Sequence, residues 1–195
     1  RAARDSQDEF RVALLGSSNL DSVASHFQSR VNDDIGDRKT IIYVVPFGQL
    51  ANQILNQDSE LSQFDAELTF FVDRLEDLLG TAYASYHQEE KILKAVENYA
   101  SLIKKFVSSN KGEVVVHWLT SNTASCLSDQ RELTVLTRRC NYLLEEYFLT
   151  EERIIWLDVT TEVKGYGDVS DPRTWYLGRF PFRLEIMERL AERWS

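Results

Sequence analysis

The sequence predicts a three-layer α/β/α domain with five parallel strands. Five short runs of β-branched and aromatic residues are apolar at nearly every position, and segments with helical spacing separate them. Strands that are apolar on both faces need helices on both sides, which is the arrangement of a parallel sheet. The 195 residues are 43% hydrophobic and 27% charged. This composition suits one globular domain and excludes a disordered chain.

The first two strands are predicted at 10–15 and 40–45. The tight turn 16–19 ends the first strand, and Pro46 with Gly48 ends the second. A helix is predicted over 20–31, because apolar residues recur there at steps of three and four. These residues are Leu20, Val23, Ala24, Phe27 and Val31.

The later elements continue the alternation. One or two short helices are predicted at 50–64, and a third strand at 68–72 ends at Asp73. A long helix with an apolar stripe is predicted at 88–109 and stops at the turn 110–112. The remaining predicted elements are a strand at 114–119, a helix at 129–148, a strand at 154–158, an irregular segment at 163–181 and a helix at 182–194.

Charge and cysteine content exclude several classes of protein. The net charge of −9 argues against a general binder of nucleic acid or anionic membranes. Cys126 and Cys140 are too few for a disulfide framework, and no Cys/His cluster suggests zinc, so we expect neither metal nor cofactor. No signal-like or membrane-spanning apolar run is present, so we expect a soluble cytoplasmic protein. Because the chain starts at Arg1 rather than Met, we expect residues 1–195 to be one domain from a larger protein.

The turn after the first strand is the main candidate site. In open parallel sheets, ligands bind beyond the carboxyl ends of the strands. Ser17 and Ser18 would lie beside backbone N–H groups at a helix N-terminus, which suits either a nucleophile with an oxyanion hole or anion binding. A serine or Asn19 that only caps the helix produces the same pattern. Asp73 and Asp158 each end a buried strand at the same edge. Each of them either caps the following helix or belongs to the site. No P-loop, dinucleotide fingerprint or G-x-S-x-G elbow is present.

The segment Gly16-Ser17-Ser18-Asn19 resembles the nucleophile block of SGNH hydrolases, which have a flavodoxin-like sheet. The resemblance implies that Ser18 is the nucleophile and that Gly48 is an oxyanion donor. Asp73 falls where the family has an asparagine, and an ionised carboxylate would repel an oxyanion. The family's last block, D-x-x-H, has no match because no histidine follows His117. The family's general base is therefore missing.

Three histidines are the remaining candidate bases. His26 is interpreted as a surface residue of the first helix, and His87 precedes the long helix. His117 lies within a strand, where a hydrogen-bonded core histidine is the favoured interpretation. A base for Ser18 would have to be His87 or His117, because an isolated serine is a poor nucleophile at neutral pH.

A second resemblance covers most of the chain. The segment 171–182, DPRTWYLGRFPF, resembles the N-terminal domain of FkbH-like proteins, as do residues 58–64, Asn141 and residues 157–159. Members of that family join an SGNH-like domain to a C-terminal HAD-type domain. The resemblance implies a role in polyketide assembly, where the HAD domain makes a glyceryl thioester on an acyl carrier protein. The HAD motif D-x-D-x-T/V is absent from these residues, so that chemistry would lie outside them.

A locally positive stretch accompanies this segment. Lys164, Arg173, Arg179 and Arg183 stand against Asp168 and Asp171. The stretch can hold a phosphate, a phosphopantetheine arm or an acidic helix of a carrier protein, or it only keeps a loop soluble. Trp175 lines a pocket mouth or plugs the end of the sheet.

Three functions remain open. The first is an accessory domain that positions an acyl carrier protein, or an acyl or phosphorylated substrate, for an adjoining HAD-type domain. The second is an active serine esterase or acyltransferase that uses Ser18, and the third is an interaction domain with a filled pocket. The candidate substrate-binding residues are Ser17, Asn19, Gly48, Asp73, Asp171, Arg173, Trp175 and Arg179. We expect these residues to meet at one sheet edge, with Trp175 where a catalytic imidazole would lie; an indole has a donor but no acceptor.

Overall fold

The structure of the protein, a computed structural model, describes residues 9–34, 38–79, 89–121, 127–159 and 171–194. Strands and helices alternate along these residues. The strands are β1 (Glu9–Leu15), β2 (Lys39–Val44), β3 (Leu68–Phe71), β4 (Glu113–His117) and β5 (Ile154–Leu157). The helices are α1 (Asp21–Asp34), α2 (Leu50–Leu55), α3 (Glu60–Phe64), α4 (Leu75–Leu79), α5 (Glu89–Ser109), α6 (Leu127–Tyr147), α7 (Pro172–Gly178) and α8 (Leu184–Trp194).

The strands form one parallel sheet in the order β2-β1-β3-β4-β5. Val12 of β1 pairs with Ile42 of β2 and with Leu68 of β3, so β1 lies between the two. The chain leaves β1 towards β2 on one side and later returns to β3 on the other. Ligand sites of doubly wound sheets lie at such a switch point, beyond the carboxyl ends of the strands.

Two apolar layers cover the sheet. The larger layer lies under α2 to α6 and receives side chains such as Leu15 and Phe71. The second layer lies under α1 and α8, where Phe70 stacks on Trp194 with ring centroids 4.5 Å apart. Successive strand residues contribute to opposite layers, as the pleat of a strand requires. The predicted α/β/α class with five parallel strands is therefore confirmed.

Two short helices were not predicted. α4 follows β3 directly and has only five residues, too few for an apolar period to show. α7 falls within the segment predicted to be irregular; residues 160–170 lie outside the described residues. Its start is a regular one, because Asp171 caps it and Pro172 is its first residue.

The end of β4 also differs from the prediction. The strand stops at His117, two residues before the predicted end. The reason is Asn141 of α6, whose buried amide accepts the backbone N–H of Leu119 at 2.7 Å and donates to its carbonyl at 3.0 Å. The side chain thus replaces the strand partner. In the described part of the chain, no helix has the length and apolar content that crossing a membrane requires.

Candidate functional site

A tight turn after β1 lies against the end of β3. Gly16 permits this approach, because a Cβ on it would lie 2.5 Å from the carbonyl oxygen of Val72. Val72 also donates its backbone N–H to the carbonyl of Leu15 at 2.8 Å. These contacts bring the next residue of the turn, Ser17, to the carboxyl group of Asp73.

Asp73 is buried, and the groups that shift its pKa in the described part of the chain are Ser17, Tyr99 and a second carboxylate, Asp77. It is 2% exposed, and its Oδ1 accepts the backbone N–H of Ser17 at 2.6 Å. Burial raises the pKa of Asp73 to about 7 and the Asp77 carboxylate adds to the rise, whereas Ser17 and the Tyr99 phenol oppose it. Asp73 therefore exchanges a proton near neutral pH, which is unusual for an aspartate.

Two oxygens at this position have no partner. Among the described residues, neither Asp73 Oδ2 nor the hydroxyl of Tyr99 makes a hydrogen bond. Burial, followed by the nearby Asp73 carboxylate, raises the pKa of Tyr99 well above its ordinary value. The phenol therefore keeps its proton and remains a potential donor to Asp73.

Ser18 contacts Asp77 rather than Asp73. It is 1% exposed, and its Oγ donates to Asp77 Oδ2 at 2.8 Å. The same carboxylate accepts the Arg74 backbone N–H at 3.0 Å, Arg74 Nε at 3.1 Å and Arg74 Nη2 at 2.9 Å. Arg74 and Asp77 are both buried, so loss of either partner would leave an uncompensated charge in the interior.

Trp175 of α7 covers this ion pair. Its ring centroid lies 4.1 Å from Arg74 Cζ and 5.1 Å from Arg179 Cζ, and a desolvated cation–π contact is worth about 2 kcal/mol. Arg179 follows α7 in the left-handed region, with a φ of 59°. Its carbonyl accepts the backbone N–H of Asn19 at 2.9 Å. α7 thus closes against the β1–α1 turn.

A cleft of about 390 Å³ opens between α2, α4 and α5. Its size is in the lower part of the range for small-molecule sites, about 300–1,000 Å³. The polar residues that line it are Ser17, Asp77, Asn98 and Tyr99, although the Asp77 side chain and the Tyr99 hydroxyl are themselves buried. Gly48 also lines it, with a φ of +73° that favours glycine. The other lining residues are aliphatic: Leu50, Ala51, Leu78, Ala95 and Leu102.

His117 lies in the core. Its ring contacts Trp194 with a centroid distance of 5.2 Å, and Phe70 at 6.5 Å. Burial lowers its pKa to about 3, so the ring is neutral. The core position is the predicted one, but the expected hydrogen bonds are not found: neither ring nitrogen has a partner within the described residues. His26 lies at the surface, 4.0 Å from Glu188, and His87 lies outside the described residues.

The structure brings the predicted site residues of the first three strands together. Ser17 and Gly48 line the cleft, and Asp73 lies directly behind Ser17. Ser18 is next to them but does not line the cleft, because its side chain is buried against Asp77.

The predicted site residues near the C-terminus all belong to α7 and its ends. Asp171 caps the helix, because its Oδ1 accepts the backbone N–H of Arg173 at 2.8 Å. The Arg173 side chain is exposed. Trp175 was expected beside the Ser18 hydroxyl; that hydroxyl is bonded to Asp77, and Trp175 contacts the arginine that pairs with this carboxylate.

Sequence reasoning missed Arg74, Asp77 and Tyr99. Arg74 and Asp77 are three residues apart, and the carboxylate reaches back to the backbone N–H at the start of α4. This is one half of a capping box, the bond from the side chain at N3 back to the N-cap N–H, with Asp in place of Glu. The three-residue spacing is therefore a partial signal. Tyr99 was read only as part of the apolar stripe of its helix. Its ring does pack in the core, while its hydroxyl lies near enough to Asp73 for the carboxylate to raise its pKa.

Comparison with known proteins identifies the fold. No protein-family model matches the sequence, and no curated protein sequence matches it. The N-terminal part of the protein BF1531 from Bacteroides fragilis, which contains a phosphatase domain and was crystallised with Mg, matches with a TM-score of 0.77 and 14% identity. The match covers 95% of this chain and 50% of that one, so this chain spans about half the length of that structure.

Two further proteins, of about the same length as this chain, have the same fold. The lipase Lip_vut3 from a goat rumen metagenome matches with a TM-score of 0.63 and 14% identity, over 95% of each chain. A proposed acylhydrolase from Bacteroides fragilis, BF3764, matches with a TM-score of 0.55 and 16% identity, over 98% of this chain and 92% of that one. This chain therefore has an SGNH-like fold.

Proposed function

We propose that this chain is an accessory SGNH-like domain of an FkbH-like protein. In this role it binds an acyl carrier protein, or the acyl or phosphorylated substrate that the carrier delivers, for an adjoining HAD-type domain. The observation that carries the proposal is the buried bond from Ser18 to Asp77, because it gives to a carboxylate the hydroxyl that hydrolysis needs to have bonded to a base such as histidine.

Asp77 is poorly suited to replace the missing histidine. A general base must accept the serine proton, and Asp77 already accepts four hydrogen bonds from Ser18 and Arg74. The arrangement keeps the shape of a hydrolase edge and favours binding over turnover at Ser18.

Two features support a carrier protein as the partner. Arg173 and Arg179 are exposed at the two ends of α7, where they can meet acidic groups and raise the association rate. The N-terminal part of BF1531, which this chain matches over half its length, also contains a phosphatase domain. An SGNH-like fold joined to a phosphatase domain is the organisation that the FkbH resemblance implies.

The proposal is tested by the affinity of a holo acyl carrier protein for this domain. We expect the double variant Arg173→Ala/Arg179→Ala to bind at least about tenfold more weakly, since surface charges steer and orient such encounters. The matched control is Arg131→Ala/Arg138→Ala, which removes the same charge from the exposed face of α6 and should bind like the wild type. Absence of binding by the wild type, or equal affinities for all three proteins, would contradict the proposal.

Hydrolysis at Ser18 is the second candidate function. The observation that favours it is the shared fold with Lip_vut3 and BF3764. Labelling by a fluorophosphonate probe that disappears in Ser18→Ala and persists in Ser17→Ala would establish it. Such a result would also displace the accessory role.

A further inference from the structure

Ser17 differs from its neighbour Ser18 in facing the cleft. Ser17 is half-buried and is one of the residues that line the cleft. Ser18, in contrast, is 1% exposed and its hydroxyl is bonded to Asp77. A ligand in the cleft can therefore reach the hydroxyl of Ser17 without rearrangement of the buried ion pair.

Asp73 lies directly behind Ser17. Its Oδ1 receives the backbone N–H of Ser17 at 2.6 Å, and its Oδ2 has no hydrogen-bond partner among the described residues. The Ser17 hydroxyl is close enough to lower the pKa of Asp73, which burial raises to about 7. The titratable groups that act on this carboxyl are Asp77 and Tyr99. Asp77 is itself paired with the Arg74 guanidinium. A base that titrates near neutral pH is well matched to proton transfer there.

We propose that Ser17, with Asp73 as its general base, is a reactive hydroxyl that accepts an acyl group from a thioester or an activated ester. This activity goes beyond the accessory role and does not depend on it. It also differs from hydrolysis at Ser18 in both the nucleophile and the base.

The transfer balances without a further reactant. The Ser17 O–H bond breaks and its proton passes to Asp73, while Oγ forms a bond to the acyl carbon. The carbon–sulfur bond of a thioester, or the carbon–oxygen bond of an ester, then breaks. Asp73 returns the proton to the departing sulfur or oxygen, so the products are an acylated Ser17 and a free thiol or alcohol. Hydrogen bonds of catalytic groups are often long before substrate binds, which agrees with the unpaired Asp73 Oδ2.

The walls of the cleft indicate the kind of acyl group. Five of the residues that line it are Leu or Ala, and such walls favour an aliphatic chain. The ionisable groups among its described lining residues are Asp77 and Tyr99, which offer no positive charge to a carboxylate or phosphate. The expected substrate is therefore a thioester or ester that carries a short, uncharged aliphatic acyl group.

The test is the reaction of the wild type with p-nitrophenyl hexanoate, followed by mass spectrometry of the acylated peptide. We expect one acyl group per chain, located on Ser17 by fragmentation. It should be absent in Ser17→Ala and present in Ser25→Ala, which changes an exposed serine of α1 and serves as the matched control. The acylation rate should rise as the pH passes through about 7, and in Asp73→Asn it should fall at least about 100-fold and lose this step.

Location of the acyl group in the wild type decides the question even where a variant folds poorly. An acyl group on Ser18, or none between pH 5 and 9, overturns the proposal. An unchanged rate and pH profile in Asp73→Asn removes Asp73 as the base. Carrier binding is measured separately, so the failure of either proposal is recognised without the other.

Discussion

Replacement of Asp73 by Asn tests the description of this carboxyl group most directly. The amide has nearly the same shape, and its oxygen can still accept the backbone N–H of Ser17. Its NH₂ group can donate to the Tyr99 hydroxyl, which has no partner among the described residues. The substitution therefore removes a buried charge and leaves the packing intact.

The magnitude follows from the pKa of Asp73. Burial and the Asp77 carboxylate raise it from 3.8 to about 7. An acid whose pKa is higher in the folded state binds its proton more tightly there, so the resulting stability is fully present below 3.8 and is lost as the pH rises to about 7. Each pH unit in this window is worth about 1.4 kcal/mol. The wild type should thus lose about 3 kcal/mol relative to Asp73→Asn between about pH 4.5 and about pH 8.

Urea denaturation at the two pH values, followed by tryptophan fluorescence, measures the difference. The quantity compared is the difference in free energy of unfolding between the wild type and Asp73→Asn at each pH. The other titrating groups contribute equally to both proteins and cancel in this difference. Asp58→Asn makes the same chemical change at an exposed position and should follow the wild type within about 0.5 kcal/mol. Parallel stability profiles of the wild type and Asp73→Asn would refute the reasoning.

Two further substitutions test the fold around the site. Burial lowers the pKa of His117 from 6.5 to about 3, so the wild type should lose about 1.4 kcal/mol per pH unit as the pH falls through this range. In His117→Phe this loss, measured by urea denaturation at about pH 6.5 and 4.5, should largely disappear; an equal loss in both proteins would contradict the burial. Gly16→Ala should reduce stability by at least about 2 kcal/mol, because its Cβ would collide with the backbone of Val72. Gly178→Ala is the comparison and should lose less in the same measurement, since its Cβ meets the movable ring of Phe180.

The strands were predictable because each is a short apolar run that the chain buries on both faces. β3, for example, reads Leu-Thr-Phe-Phe and was placed to within one residue. The short helices α4 and α7 were not predictable in this way. α4 is too short to show the helical repeat of apolar residues, and α7 contains Pro172 and Gly178, which are typical of loops. Yet Asp171 followed by proline is also a helix start, so α7 could have been recognised from its cap.

The position of the site followed from topology, but its chemistry did not. Parallel strands place their carboxyl ends at one edge, which correctly brought Ser17 and Asp73 together. Charged residues are usually exposed, so nothing in the sequence indicated that Arg74 would be buried. Its burial depends on Asp77 and on the ring of Trp175, which comes from a segment about a hundred residues later. Such a contact is a property of the packed structure.

The two buried carboxylates at this edge have different partners, and the difference separates their roles. Asp77 faces the guanidinium of Arg74, so its charge is compensated and its oxygens are occupied. Asp73 faces the neutral donors Ser17 and Tyr99, and one of its oxygens is unpaired in the described part of the chain. The group that exchanges a proton at neutral pH is therefore Asp73. In the proposed acyl transfer, this carboxyl is the proton carrier. The hydroxyl next to the proton carrier is that of Ser17, and this is the hydroxyl that the cleft exposes.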